Sequence, residues 1–205
     1  MEYSSSSKHM ATFLLMVICS TSHLIYSTSA SRNPVSKTNT EFIRTSCVST
    51  TYPKLCFSSL STHASTIQSS PQLLAITSLS VTLSSAKTTS AEMTRLSLSH
   101  GLKPREVDAM KDCIEELRDS VDELRKSMGE MSQLVKGKSG FKLMINDIQT
   151  WVSAALTDEN TCTDGFEEKP MNGNLKTAVR GQVVNVAQLT SNALALINRY
   201  GLIHG

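Results

Sequence analysis

The chain has 205 residues, with 20 basic and 18 acidic side chains and a net charge of +2. That balance asks for no nucleic-acid partner and would favour an acidic polysaccharide only weakly. The length suits one folded domain, and no apolar run is long enough to cross a membrane.

Residues 1–30 read as a removable export signal. Lys8 and His9 precede an apolar run from Ala11 to Cys19, and the Ser/Thr-rich stretch that follows ends at Thr28-Ser29-Ala30. Small residues then occupy positions −3 and −1 of a cut after Ala30. The run of about nine apolar residues falls well short of the ~20 that span a bilayer. Cleavage would remove Cys19 and leave Cys47, Cys56, Cys113 and Cys162, an even set suited to an oxidising, extracellular compartment. No Asn-x-Ser/Thr acceptor follows Ala30, so N-glycosylation is not expected.

Residues 31–39 form a loose leader, and 40–69 a helical hairpin. The spacing predicts a short helix over Thr40–Cys47, a link at Thr50-Thr51-Tyr52 and a second helix from Pro53, whose fixed φ suits a first turn. Residues 70–205 carry four longer amphipathic helices. Ser70-Pro71 caps the first, which runs through Leu73, Leu79, Leu83, Ala86 and Met93 to His100-Gly101. Its many Ser and Thr give mediocre helix propensity, so packing must hold it. After Lys103-Pro104, the residues Val107, Met110, Ile114, Leu117, Val121, Leu124, Met128, Met131 and Val135 alternate in steps of three and four, one continuous apolar seam. The methionines are core fillers. Gly137 to Gly140 break this helix. Phe141, Met144, Ile145, Ile148, Trp151, Val152, Ala155 and Leu156 begin a third stripe that ends near Gly165. A loop around Pro170-Met171-Asn172-Gly173 leads to the last helix, from Leu175 through Ile197. The fold class is all-α, an up-down-up-down four-helix bundle behind a helical hairpin.

Cys47 and Cys56 flank the hairpin turn. Cys113 lies early in the second bundle helix and Cys162 late in the third, positions that antiparallel neighbours bring together. Four cysteines allow three connectivities, of which the pairs 47–56 and 113–162 suit this topology best. The spacings lack the short knuckles of a zinc site, so neither metal nor cofactor is expected.

No catalytic constellation stands out. His63, His100 and His204 have no His or carboxylate three or four residues further on, and no nucleophile elbow, phosphate loop or His-Glu-x-x-His occurs. An enzyme is not expected. What remains is surface: Glu115, Asp119, Asp122 and Lys126 stand at i, i+4, i+7 and i+11, so three acids share one helix face. Such a face is ordinarily solvated and partly neutralised, here by Arg118 and Lys126; in an interface it would steer and orient a partner.

Two stretches carry a family resemblance. Thr45-Ser46-Cys47 through Tyr52-Pro53-Lys54-Leu55-Cys56, then Cys113, then Trp151 through Thr161-Cys162-Thr163-Asp164-Gly165-Phe166, resemble the plant invertase/pectin methylesterase inhibitor family. The resemblance spans residues 40–202. It implies a four-helix bundle with an N-terminal hairpin and two disulfides, first cysteine to second and third to fourth. Invertase inhibitors of the family carry a Pro-Lys-Phe motif entering the third bundle helix; here the matching residues are Ser139-Gly140-Phe141. Ser153-Ala154-Ala155 and Thr161-Cys162-Thr163-Asp164 resemble the pectin methylesterase inhibitor branch. That branch implies a secreted apoplastic protein, monomeric until it forms a one-to-one complex with pectin methylesterase, its second, third and fourth bundle helices lying across the pectin cleft. By match from the third cysteine, the acidic contact positions fall on Glu115, Asp119 and Asp122. Third-helix contacts fall on Thr161 and Asp164, and an Asn of the family is replaced by Gln149.

Overall fold

The computed structural model describes residues 34–135, 137, 139–167 and 173–204. The export signal, leader residues 31–33 and loop residues Pro170-Met171-Asn172 lie outside the described residues. Among the described residues seven α-helices follow in order: α1 Pro34–Cys47, α2 Pro53–Leu60, α3 Ala64–Ile67 after a 3-10 turn at Ser61–His63, α4 Pro71–Ser97, α5 Pro104–Gln133, α6 Phe141–Asp164 and α7 Gly173–His204. No strand occurs among the described residues. Helices α4 to α7 pack in a closed square, α4 against α5, α5 against α6, α6 against α7 and α7 back against α4. Short connections make successive helices antiparallel, the up-down-up-down arrangement that the sequence predicts.

The helix ends follow local chemistry. The Ser70 hydroxyl accepts from Leu73 N at 3.3 Å and Pro71 opens α4. Pro104 opens α5, and the Glu106 carboxylate reaches back to accept from Lys103 N at 2.9 Å. Between α5 and α6 the chain turns through Gly137 and Gly140, at φ +75° and +92°, where a side chain would be strained.

The α5 seam is buried from Met110 to Met131 except for partly buried Met128, and both of its ends differ from expectation. Val107 and Val135 are about half exposed, at 48% and 47%. Val107 lies in the first turn, at the rim of the bundle. Val135 lies past the last turn, where Leu134 takes the buried place and its carbonyl accepts from Gln72 Nε2 at 3.0 Å. The first helix also departs from its predicted start: it begins at Pro34 rather than Thr40. Proline suits a first turn, and the Thr40 hydroxyl bonds back to Ser36 O at 2.8 Å within the helix.

The Ser/Thr content of α4 is satisfied internally. Buried Ser78 donates to Ala75 O at 2.8 Å and buried Thr82 to Ser78 O at 2.9 Å, so these hydroxyls enter the core with partners.

The hairpin docks on α7 through a polar clamp at Asn192, flanked by Ser191 Oγ donating to Thr51 Oγ1 at 3.2 Å and Arg199 donating to Ser49 Oγ at 3.4 Å. Asn192 of α7 is 3% exposed; its Oδ1 accepts from Tyr52 N at 2.9 Å and its Nδ2 donates to Tyr52 O at 3.0 Å. A single amide thus closes both backbone groups of the turn between α1 and α2. Around it Ile43, Cys47, Cys56, Leu60, Ile67 and Leu74 pack with Leu196, and Arg44 stacks 4.1 Å over the Phe57 ring. Removing the clamp takes the partner from the part-buried Tyr52 N–H, while Tyr52 O keeps the Cys56 N–H at 2.9 Å, so Asn192→Ala should destabilise by about 1–2 kcal/mol in urea unfolding. Nine residues further along α7, a Cβ on Gly201 would stand 2.8 Å from Ile145 Cγ2. Gly201→Ala should therefore lower stability by about 1–3 kcal/mol, measured in the same way.

Candidate functional site

The site is built where α5 begins and α6 ends. Cys113 and Cys162 form a disulfide with Cα atoms 4.2 Å apart, pinning the two helices side by side. The other bridge joins Cys47 to Cys56 across the hairpin turn, so the connectivity is the one that topology favours. Over the Cys113–Cys162 bridge lies a groove of about 500 Å³, lined by Asp108, Asp112 and Glu116 from α5 and by Thr161 and Asp164 from α6. Arg105 of α5 lines it as well. Asp108, Asp112 and Glu116 are four residues apart, one edge of α5.

The acids continue along the seam between the helices. Burial and then the charges of Asp119, Glu115 and Asp112 raise the Glu116 carboxyl above its ordinary range. Asp158 of α6 is pushed up to about 6, first by burial and then by Glu116, Asp119 and Glu123 across the seam. Farther along, burial and Asp147 raise Glu130. These shifts record a row of like charges held together by the fold. Within the row Lys126 pairs with Glu123 at 2.8 Å.

Beneath the seam one carboxyl sits entirely in the core. Glu159 is fully buried, its Oε1 accepting from Ser120 Oγ of α5 at 2.8 Å and from Thr190 Oγ1 of α7 at 2.9 Å, while Oε2 has no partner. Burial pushes it up to about 7, against the opposing pull of the two hydroxyls. Glu159 therefore ties three helices at one point, where burial makes its protonated form the less costly one. The apolar stripe of α6 betrays it: Ile148, Val152, Ala155, Glu159 and Cys162 keep helical spacing, so a carboxylate occupies a core position.

The six residues predicted for the partner surface are not all brought together. Thr161 and Asp164 line the groove. Asp119 faces the same seam, since its charge is felt by both Glu116 and Asp158. Glu115 stands beside them, exposed on the outer face. Asp122 belongs to a different groove, between α4 and α5, where it pairs with Arg125. Gln149 lies twelve residues before Thr161, about 18 Å along the helix, in a third groove with Phe141 and Asn198. Asp112, Glu116 and Asp158 were not predicted, yet they carry much of the field. The Thr161 hydroxyl donates to Thr157 O at 3.0 Å, which leaves its oxygen free to accept. The arrangement can attract and orient a cationic partner; among the described residues no group of three His, Cys, Asp or Glu could hold a metal ion.

Known proteins resemble the chain over most of its length. Residues 41–196 match the family model of the plant invertase/pectin methylesterase inhibitor. The chain is 47% identical over 165 residues to the 21 kDa protein of Daucus carota, covering 80% of this chain and 86% of that one. It is 44% identical over 190 residues to pectinesterase inhibitor 11 of Arabidopsis thaliana, covering 91% and 94%. Its fold matches the crystal structure of a mutant form of a pectin methylesterase inhibitor from Arabidopsis with a TM-score of 0.61 at 23% identity, over 76% of this chain and 95% of that one.

Glu159 also makes stability fall as pH rises. Its carboxyl holds a proton more tightly folded, at about 7, than unfolded, near 4.5. The contribution is therefore whole below pH 4.5 and lost as pH climbs through 7, at most about 3 kcal/mol or roughly 5–10 °C in Tm. Thermal unfolding between pH 4.5 and 8 measures it. Glu159→Gln, which cannot ionise, should flatten most of that slope.

Proposed function

The chain belongs to the plant invertase/pectin methylesterase inhibitor family, and we propose that it is a secreted inhibitor of pectin methylesterase whose α5/α6 face covers the enzyme's substrate cleft. The observation that carries this reading is the acid seam above the Cys113–Cys162 bridge. A row of carboxylates on two pinned helices presents charge on a rigid surface, which is what an obstructing partner needs to bind with little ordering cost. The chain works by occupying space and performs no chemistry itself. The complex is one to one, formed outside the cell by a monomer.

In this reading Asp112, Glu116, Asp119, Asp158 and Asp164 face cationic groups of the enzyme, and Thr161 accepts a hydrogen bond at the rim. Glu115 supports the field. Asp122, held by Arg125 on the α4 side, and Gln149, at the far end of α6, lie at the margins. An invertase target has less support. Phe141, the one residue kept from the Pro-Lys-Phe motif, is buried and packs edge-on against Tyr200 with ring centres 6.0 Å apart. It is spent inside the bundle.

Charge reversal separates the seam from its margins. Asp112→Lys with Asp119→Lys should weaken inhibition of pectin methylesterase about 100-fold, whereas Asp122→Lys alone should change it less than about threefold. Both are exposed sites, so melting should stay within about 2 °C of the parent. Undiminished inhibition by the double variant would remove the seam from the interface; loss of invertase inhibition instead would change the target.

The same seam sets the pH response. Asp158 gains a proton near pH 6 and Glu116 above the usual carboxylate range. Inhibition should therefore weaken as pH falls from 7 towards 5, through loss of interface charge. An inhibition constant that stays flat between pH 4.5 and 7 would contradict this mechanism.

A further inference from the structure

Helix α5 carries opposite charges on its two edges. Its α6 edge is acidic, as described above. On its α4 edge Arg118 and Arg125 line a groove of about 370 Å³ with Lys87, Ser90 and Thr94 of α4. Lys111 repeats the same heptad position one step earlier, at 111, 118 and 125. Within this groove the one acid is Asp122, and it is already engaged with Arg125. Lys87 and Arg118 form no salt bridge with another described residue. The hydroxyls lining the groove are those of half-buried Ser90 and exposed Thr94, with exposed Ser84 and Thr88 on the adjoining α4 surface. The one acid of α4, Glu92, is half-buried and bonds Arg95 at 2.9 Å.

We propose that this α4/α5 groove binds a linear polyuronate, the carboxylated wall polymer that ester hydrolysis of pectin leaves behind. The chemistry of the groove matches that of the polymer. Separated cations meet carboxylates spaced along a chain, and a row of exposed hydroxyls meets sugar hydroxyls. The acid seam supplies the orientation, because a polyanion is repelled from the α5/α6 face and attracted to the opposite edge of the same helix. The neutral methyl ester of pectin offers Lys87 and Arg118 no charge to pair with. The groove therefore distinguishes de-esterified polymer from esterified polymer, the product of the target enzyme from its substrate. The idea rests on the inhibitor reading for its choice of polymer. It places the polymer on a helix edge that the proposed esterase-facing seam leaves free, so the inhibitor can be held at wall regions where the esterase has already acted.

Titration calorimetry of the full chain tests it, with an unesterified oligogalacturonide and its fully methyl-esterified counterpart as probes. The unesterified probe should bind with an affinity that falls as salt rises, and the esterified one should not bind. Lys87→Gln with Arg118→Gln should weaken binding about tenfold, the loss expected for two charge pairs at a partly exposed site. Both residues are exposed, and unchanged melting confirms an intact fold. Equal affinity for the two probes, no binding of either, or undiminished binding by the double variant would overturn the proposal. Inhibition of pectin methylesterase by the same proteins separates the two readings. Polyuronate binding without inhibition by the parent chain would sink the inhibitor assignment alone, and inhibition without polyuronate binding would sink this one alone.

Discussion

The bridge between Cys113 and Cys162 is the constraint from which the functional surface follows. It joins the first turns of α5 to the last turns of α6, closing a loop of 49 residues. In the chain-entropy account such a loop is worth about 4 kcal/mol against the unfolded state. Its more specific effect is to force two acid-bearing helix edges together. Asp158 of α6 would move away from Glu116 and Asp119 of α5 if the two helices were free to slide. Held by the bridge, with Phe166 fully buried among the side chains of the same cluster, they cannot. The self-repulsion of that row is carried by the covalent link and by the apolar contacts around it.

The seam and the core beneath it respond to pH in opposite senses, for the same physical reason. Burial raises Asp158 and Glu159 alike. Asp158 meets solvent at the seam, so its ionised form is the one a cationic partner wants. Glu159 lies in the core against Ser120 and Thr190, so its neutral form is the one the bundle wants. A fall in pH weakens the surface and strengthens the scaffold; a rise does the reverse. Affinity and foldedness are thus balanced across the mildly acidic range, with adjacent residues of α6 controlling the two sides.

The bundle also sorts charge by helix edge. Acids gather between α5 and α6, cations between α4 and α5, and Asp122 falls on the cationic side although it stands only three residues from Asp119. That separation comes from the 100° turn between successive residues of a helix. A spacing rule applied to α5 alone places Glu115, Asp119 and Asp122 on one face. The neighbours that pack on either flank then divide that face between two grooves.

The sequence by itself determined the bundle, its helix starts at Pro71 and Pro104, the break at Gly137–Gly140 and the preferred cysteine pairing, because each rests on local chemistry or on a periodic apolar stripe. It misjudged Val107, Val135 and the start at Pro34, where periodicity meets the rim of a bundle or a helix end. The tertiary structure alone decided which acids share a surface. Asp158 joins Glu116 only because α6 runs antiparallel beside α5, and Gln149 is removed from Thr161 only because both lie on one straight helix. Asn192 could not be read as a clamp either, since its partner Tyr52 lies 140 residues away. Spacing along a chain reports one helix at a time, whereas fields, clamps and grooves belong to pairs of helices, and those pairs exist only once the core has packed.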